Sequence, residues 1–230
     1  HRQTITETHR CANTSSPGLQ TASCHTKSDP FRVLRMTSPD ITKTALKIAA
    51  RAAEISLDHF RTSLNVEFKA DESPVTRADR ATEQAVRDMI AINFPDDGIF
   101  GEVHGTVVGK NDTLWVIDPI DGTRSFITGN PLFGFLLARL VGGVSVLSVV
   151  SLPALNETYL AMRGGGAWLG ETRLNTSAQT NLGDCALYVN EGEKIWRDNP
   201  ESFGRLMSAS RVFRFGYDCY PYAQLAAGHI

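Results

Sequence analysis

Two aspartates three residues apart, Asp118 and Asp121, close a run of apolar residues, Leu114-Trp115-Val116-Ile117, and are followed by Gly122 and Thr123. A run rich in β-branched and aromatic side chains predicts a short buried strand. That strand is expected to end on Asp118, because Pro119 has no N–H to give a central ladder. Two carboxylates fixed at a rigid strand end repel each other unless a cation lies between them. Hard oxygen donors of this kind suit Mg²⁺, which is commonly held by one or two carboxylates together with a phosphate. Gly122 lets the backbone approach a ligand closely. A helix beginning near Thr123 would turn free N–H groups toward an anion. Metal plus phosphate is the chemistry these residues suggest, although an isolated Asp-Gly is most often an ordinary turn.

Several elements must position this pair. Ser38-Pro39-Asp40 opens a helix, with Ser38 as N-cap and Pro39 at its first position. Ile41, Ala45, Ile48, Ala49, Ala52, Ile55 and Phe60 then recur at helical spacing. A short strand at 64–69 and a polar loop containing Lys69 follow. Thr76 and Asp79 form a capping box for a second helix, which buries Ala78, Ala81, Ala85, Val86, Met89 and Ile90. Ile99-Phe100-Gly101-Glu102 is a short strand that delivers another acid. Residues 131–155 hold a single charge, Arg139. A membrane span is rejected there, because the charge falls mid-segment and Gly142-Gly143 is a turn signal. Two strands, at about 132–140 and 144–151, pair across that turn. Asn156 to Met162 and Ala167-Trp168-Leu169 are further strands. A helix at 202–209, a strand at 211–215 and a helix at 218–227 complete the reading. Helices, then antiparallel strands, then α/β alternation indicate an α+β fold.

The chain of 230 residues carries a net charge of −2, which gives no reason to expect nucleic acid or a membrane surface as partner. Its four cysteines form no C-x-x-C pair and no zinc spacing, so a reduced, cytoplasmic protein is expected. Residues 1–36 differ: ten Ser or Thr, five Lys or Arg, two acids and no apolar periodicity. This composition is read as a disordered or non-native tail over 1–37, with an organellar transit peptide as the alternative. The folded domain then spans 38–230.

The string Trp115-Val116-Ile117-Asp118-Pro119-Ile120-Asp121-Gly122-Thr123 resembles the signature of the inositol monophosphatase family, Mg²⁺-dependent and Li⁺-sensitive phosphatases. Three further stretches are similar to family motifs: Pro74-Val75-Thr76-Arg77-Ala78-Asp79, Phe100-Gly101-Glu102, and the Gly-rich turn before Ala167-Trp168. The resemblance implies a layered α/β/α/β/α sandwich, usually a homodimer, acting on a small phosphate monoester. It implies that Asp118 bridges two Mg²⁺ ions, that Glu102 and the Ile120 carbonyl complete the first, and that Asp121 binds the second. The N–H groups of Gly122 and Thr123 would hold phosphate. Thr123 and Asp79 would take a proton from the attacking water. Val103 departs from the pattern, standing where the family usually has a second acid, and the departure puts the support of Glu102 in question.

Phe215-Gly216-Tyr217-Asp218-Cys219-Tyr220 resembles the histidinol-phosphate phosphatase branch, as does His104. An acid facing the substrate would favour a cationic amine, so Asp218 is read as a substrate-binding residue, with Arg214 helping to place the phosphate or Asp218. The alternative for Asp218 is a helix N-cap. Inositol monophosphate and 3′-nucleotide bisphosphates remain alternative substrates. An inactive regulatory paralogue is the alternative of another kind. A haloacid-dehalogenase-type phosphatase is disfavoured, since its motif sets the two acids two apart. The family's third metal-binding aspartate has no counterpart after Asp218, so the domain is expected to be C-terminally truncated, with weak binding of the second ion and at most trace activity.

Overall fold

The structure, a computed structural model, describes residues 39–63, 66–68 and 74–230. The expectations for the tail at 1–37, for Ser38 as a cap and for Lys69 lie outside them. Helices α1 (Pro39–His59) and, after a ribbon of β1 (Val66–Phe68) and β2 (Pro74–Thr76), α2 (Arg77–Asn93) form where the apolar spacing placed them. Ala45, Ile48, Ala49 and Ala52 of α1 and Val86 and Ile90 of α2 are fully buried. The capping box on α2 is present: the Thr76 hydroxyl accepts from the Ala78 and Asp79 amides, and the Asp79 carboxylate accepts from the Thr76 amide.

The strands are β3 (Gly98–Gly101), β4 (Gly105–Val107), β5 (Thr113–Asp121) and, after the short helix α3 (Thr123–Ile127), β6 (Gly134–Val141), β7 (Val144–Leu152), β8 (Glu157–Met162), β9 (Gly166–Leu169) and β10 (Thr172–Leu174). Among the described residues these strands make one eight-stranded sheet in the order β10-β9-β8-β7-β6-β5-β3-β4. Its neighbours are antiparallel, except that β3 and β5 run parallel. The ends of those two strands therefore emerge on the same edge. The charge-poor stretch folds as the β6–β7 hairpin over Gly142 and Gly143, both at positive φ. Among the described residues no helix is long and apolar enough to cross a membrane.

The chain continues through β11 (Ala186–Val189), α4 (Gly192–Asp198), α5 (Pro200–Ala209), β12 (Val212–Phe215) and α6 (Tyr220–Ala226). Side chains alternate across the main sheet. Trp115, Ile117, Phe135, Leu137, Leu147 and Val149 pack on α1 and α2. Leu136, Val150, Leu152 and Tyr159 face the other way, toward Cys219 and Ala223 of the α6 region. β11 and β12 form a separate parallel pair, against which Phe203 of α5 sets its ring edge-on to Phe213. Helices, sheet and helix, with the small parallel pair and its helices beyond, make a mixed α/β sandwich.

Two expectations change. β5 does not stop at Asp118: pairing with β6 lapses after Asp118↔Leu136 and resumes at Asp121↔Gly134. Three steps on β5 face two on β6, a one-residue bulge, and a bulge is where proline fits inside a sheet. The strands β2, β4, β10 and β11 and the helix α4 were not foreseen, β2 falling in the stretch read as a polar loop. Each is short, and α4 follows Glu191 in left-handed geometry with no side-chain cap to announce it.

Candidate active site

The bulge decides the geometry of the acid pair. In a regular strand, residues three apart point to opposite faces. The extra residue brings Asp118 and Asp121 to the same side, where the charge of Asp121 adds to the cost of ionising Asp118. Burial first, then the charges of Glu102 and Asp121, push the Asp118 carboxyl up to about 8 from 3.8. Burial also raises Asp121, opposed by a hydrogen bond from Cys219. Cys219 comes this close because Gly134 stands opposite Asp121 on β6: a Cβ there would meet its sulfur at 2.5 Å. Beneath these groups Ile120, Ala78, Phe126 and Phe133 form a tightly buried floor that ties the end of β5 to α2 and α3.

Glu102 follows β3 directly, and its N–H donates to the Ile117 carbonyl at 3.3 Å. The parallel pairing of β3 with β5 thus sets Glu102 beside Asp118. Asp79 enters from the first turn of α2. Its Oδ2 accepts from the Thr76 amide at 2.7 Å and the Thr76 hydroxyl at 2.6 Å. Its carboxyl is raised by burial, with those hydrogen bonds opposing. The Thr123 hydroxyl has one proton and two acceptors in reach, the Ile120 carbonyl at 3.1 Å and Asp79 Oδ1 at 3.5 Å. Gly122 caps α3 at φ 84°, a left-handed conformation that suits glycine.

Asp218 is not a helix cap, since α6 begins at Tyr220 and Cys219 holds the N-cap position. Its Oδ2 accepts from Ser125 at 2.9 Å, its carbonyl accepts from Asn190 Nδ2 at 2.9 Å, and its φ is 51°. It stands directly over Gly122, where an added Cβ would lie 2.6 Å from Asp218 Oδ2. Asp121, Asp218, Cys219, Asn190, Glu191 and Lys194 line one open cavity of about 580 Å³. Arg214 stands apart from it: its guanidinium is exposed and donates to the Phe213 carbonyl at 3.2 Å. His104 is likewise exposed.

Asp79, Glu102, Asp118, Asp121 and Thr123 are thus brought together from α2, β3, β5 and α3. Among the described residues, Asp118 Oδ1 and Asp121 Oδ2 are buried with no hydrogen-bond partner. Two orphaned carboxylate oxygens on one side of a bulge fit a cation. Among the described residues no three acidic, histidine or cysteine side chains close into a cage. An open set suits Mg²⁺, which keeps waters and takes substrate oxygens. The sequence reading missed Asn190, Glu191 and Lys194 on the cavity wall, and it missed Glu83. Glu83 is fully buried and bonded to the amides of Val103 and His104. The spacing Asp79, Glu83, Arg87, one turn apart each on a helix with a buried face, is the signal that could have found it.

Known proteins resemble this chain in sequence and in fold. The inositol monophosphatase family profile matches residues 38–230. A histidinol-phosphatase of Chlorobaculum parvum is 40% identical over 194 residues, covering 83% of this chain and 74% of that protein. The Nus factor SuhB of Pasteurella multocida is 31% identical over 193 residues, covering 81% of this chain and 72% of that protein. The solved structure of an inositol monophosphatase from Zymomonas mobilis superposes with a TM-score of 0.71 at 34% identity, covering 84% of this chain and 75% of that one.

Proposed function

We propose, from the premise that this chain belongs to the inositol monophosphatase family, that it is a Mg²⁺-dependent phosphate monoester hydrolase whose substrate is histidinol phosphate. One observation carries the substrate assignment. Asp218 stands over Gly122 and shares a cavity wall with Asp121. The amine of histidinol phosphate sits two carbons from its ester oxygen. An acid that reads this amine must therefore stand beside the phosphate-binding turn, as Asp218 does. Inositol phosphates offer it no cation, and a half-buried carboxylate whose only side-chain partner among the described residues is the Ser125 hydroxyl gains nothing from them.

When bound, Mg²⁺ supplies charge neutralisation at the phosphate and a more acidic water. Asp118 would hold both ions, Glu102 and the Ile120 carbonyl the first, and Asp121 the second. The N–H groups of Gly122 and Thr123 would hold the phosphate. With the Ile120 carbonyl engaged elsewhere, the Thr123 hydroxyl is left to Asp79. It can pass its proton to Asp79 Oδ1 while its lone pair takes one from the attacking water. Burial raises Asp79, which makes it a stronger base than an exposed aspartate. Arg214 has no part in this scheme. A homodimer is the assembly we expect, and light scattering of the purified protein tests it.

The function is tested by a panel of histidinol phosphate, inositol 1-phosphate and a 3′-nucleotide bisphosphate, each assayed with and without Mg²⁺. The expected order places histidinol phosphate first by kcat/KM. A neutral-headed monoester in first place would overturn the substrate assignment. No hydrolysis of any of them, by this chain or by a C-terminally longer form of it, would overturn the enzyme and favour a regulatory protein, the reading that likeness to a Nus factor suggests.

A further inference from the structure

We infer that Glu83 and Arg87 of α2 are positioning residues for Glu102: they clamp the main chain just after it and so hold its carboxylate against Asp118. The inference rests on the metal site proposed above. Both side chains lie in the interior, Glu83 at 0% and Arg87 at 8% exposure. Glu83 Oε2 accepts from the Val103 amide at 2.7 Å. Its Oε1 accepts from the His104 amide at 3.0 Å and from Arg87 Nε at 2.8 Å. The far end of Arg87 donates to the Gly105 carbonyl. Three consecutive residues after Glu102 are therefore bonded to one buried ion pair.

On the other side of Glu102, its own N–H donates to Ile117, the residue before Asp118. The segment is pinned from both directions, by β5 before the acid and by α2 after it. The approach is close enough to require glycine at 101, where a Cβ would fall 2.1 Å from Glu83 Oε1 and 2.8 Å from Arg87 Nη2. Asp79 lies one turn before Glu83. One helix face thus carries both the proton acceptor and the clamp on the Glu102 segment, so the spacing between them is set by helix geometry.

The arrangement also accounts for Val103. What α2 holds is the backbone amide of residue 103, not its side chain, so support of this segment does not need a second acid there. Burying a charged pair is worthwhile only when its hydrogen bonds are filled, and here the carboxylate oxygens face three donors. Groups that orient a metal ligand typically change metal affinity by roughly 10–100-fold when removed.

The test uses Glu83→Gln and Gly101→Ala in the full chain, with Val86→Ala as a control at a buried α2 position that does not touch the segment. Mg²⁺ binding is measured by calorimetry, Mg²⁺ dependence by phosphate release, and the Val103 and His104 amides by hydrogen exchange. We expect at least a tenfold weaker Mg²⁺ affinity and a matching rise in the Mg²⁺ needed for half-maximal rate. Substrate KM at saturating Mg²⁺ should change less than twofold, and exchange at both amides should accelerate at least tenfold. Val86→Ala should lower the melting temperature without moving Mg²⁺ affinity. If Glu83→Gln does not fold, Arg87→Lys, which keeps the charge but not the forked reach to Gly105, carries the same expectation. Variants that melt lower yet bind Mg²⁺ as the parent does would overturn the inference. A parent protein that binds no Mg²⁺ would overturn the metal site itself, and the parent's titration alone reveals that case.

Discussion

At the level of single residues, Asp118 combines burial, three acidic neighbours and an unpartnered oxygen. Without metal its folded value is near 8, against 3.8 for an ordinary aspartate. The folded state therefore keeps a proton that the unfolded chain has lost across that interval. Stability from this group is full below about pH 4 and is lost as pH rises toward about 8. Asp79 and Asp121, raised in the same direction, add to the trend. Melting of chelator-treated protein should fall steadily from pH 5 to pH 8, and Mg²⁺ at pH 8 should restore it, since a cation that binds only the folded form stabilises it. Asp118→Asn should flatten most of the pH slope and abolish Mg²⁺-dependent hydrolysis while leaving a folded protein. Turnover by that variant at ordinary Mg²⁺ would remove the metal mechanism. Asp218→Ala should instead act on choice of substrate. Losing one charge-assisted contact costs about 1.5–3 kcal/mol, roughly ten- to a hundredfold. The loss should fall on histidinol phosphate more than on a neutral-headed monoester, and equal losses for the two would make Asp218 structural.

At the level of elements, the N-terminus of α2 serves the fold and the site through one residue. Thr76 caps the helix and donates its hydroxyl proton to Asp79. Thr76→Ala should cost about 1 kcal/mol, a drop of about 2–4 °C in melting temperature for a domain of this size. It should also lower kcat by freeing Asp79 from its bond. Thr76→Ser should recover both, and rescue of stability without rescue of kcat would argue against the second role. This cap was legible in the sequence because its signals are local: Thr76 and Asp79 lie within one turn, and so do Gly142 and Gly143 of the hairpin. The Asp118–Asp121 pair was legible as chemistry but not as geometry. Proline read as a strand terminator, whereas the partner strand accommodates it as a bulge, and a register shift is a property of two strands. Glu83 was missed for a related reason. A glutamate on a helix is ordinarily solvated, and only the return of residues 103–105 makes this one interior. β11 left no trace because a four-residue strand whose partner, β12, comes after two intervening helices has no period of its own.

At the level of the whole molecule, the site gathers where the parallel strands β3 and β5 end, and four further segments reach it. The first turn of α2 brings Asp79, the start of α3 brings Thr123, the entry to α6 brings Asp218, and the approach to α4 brings Glu191. None of these termini lies in the largest core cluster, which sits between α1, α2 and the middle of the sheet. The largest core cluster is thus set apart from the proposed ligand-contacting rim, a division that lets the rim adjust without disturbing the core.

The β5 bulge divides one strand into two stretches of different persistence in time. Pro119 contributes no amide, and pairing to β6 lapses between Asp118 and Asp121. The amides of Trp115 to Ile117, inside an unbroken ladder and flanked by the buried side chains of Trp115 and Ile117, should exchange with deuterium only through near-global opening. Those of Ile120 and Asp121 should exchange by local opening and be faster by orders of magnitude. The two acids stand on opposite sides of this boundary. A cation held between them would act as a stitch across it, joining the slow stretch to the fast one. Mg²⁺ should accordingly slow exchange at Ile120 and Asp121 while leaving Trp115 to Ile117 nearly as they were. Uniform slowing along all of β5 would mean that the strand breathes as one piece and that the bulge is no hinge.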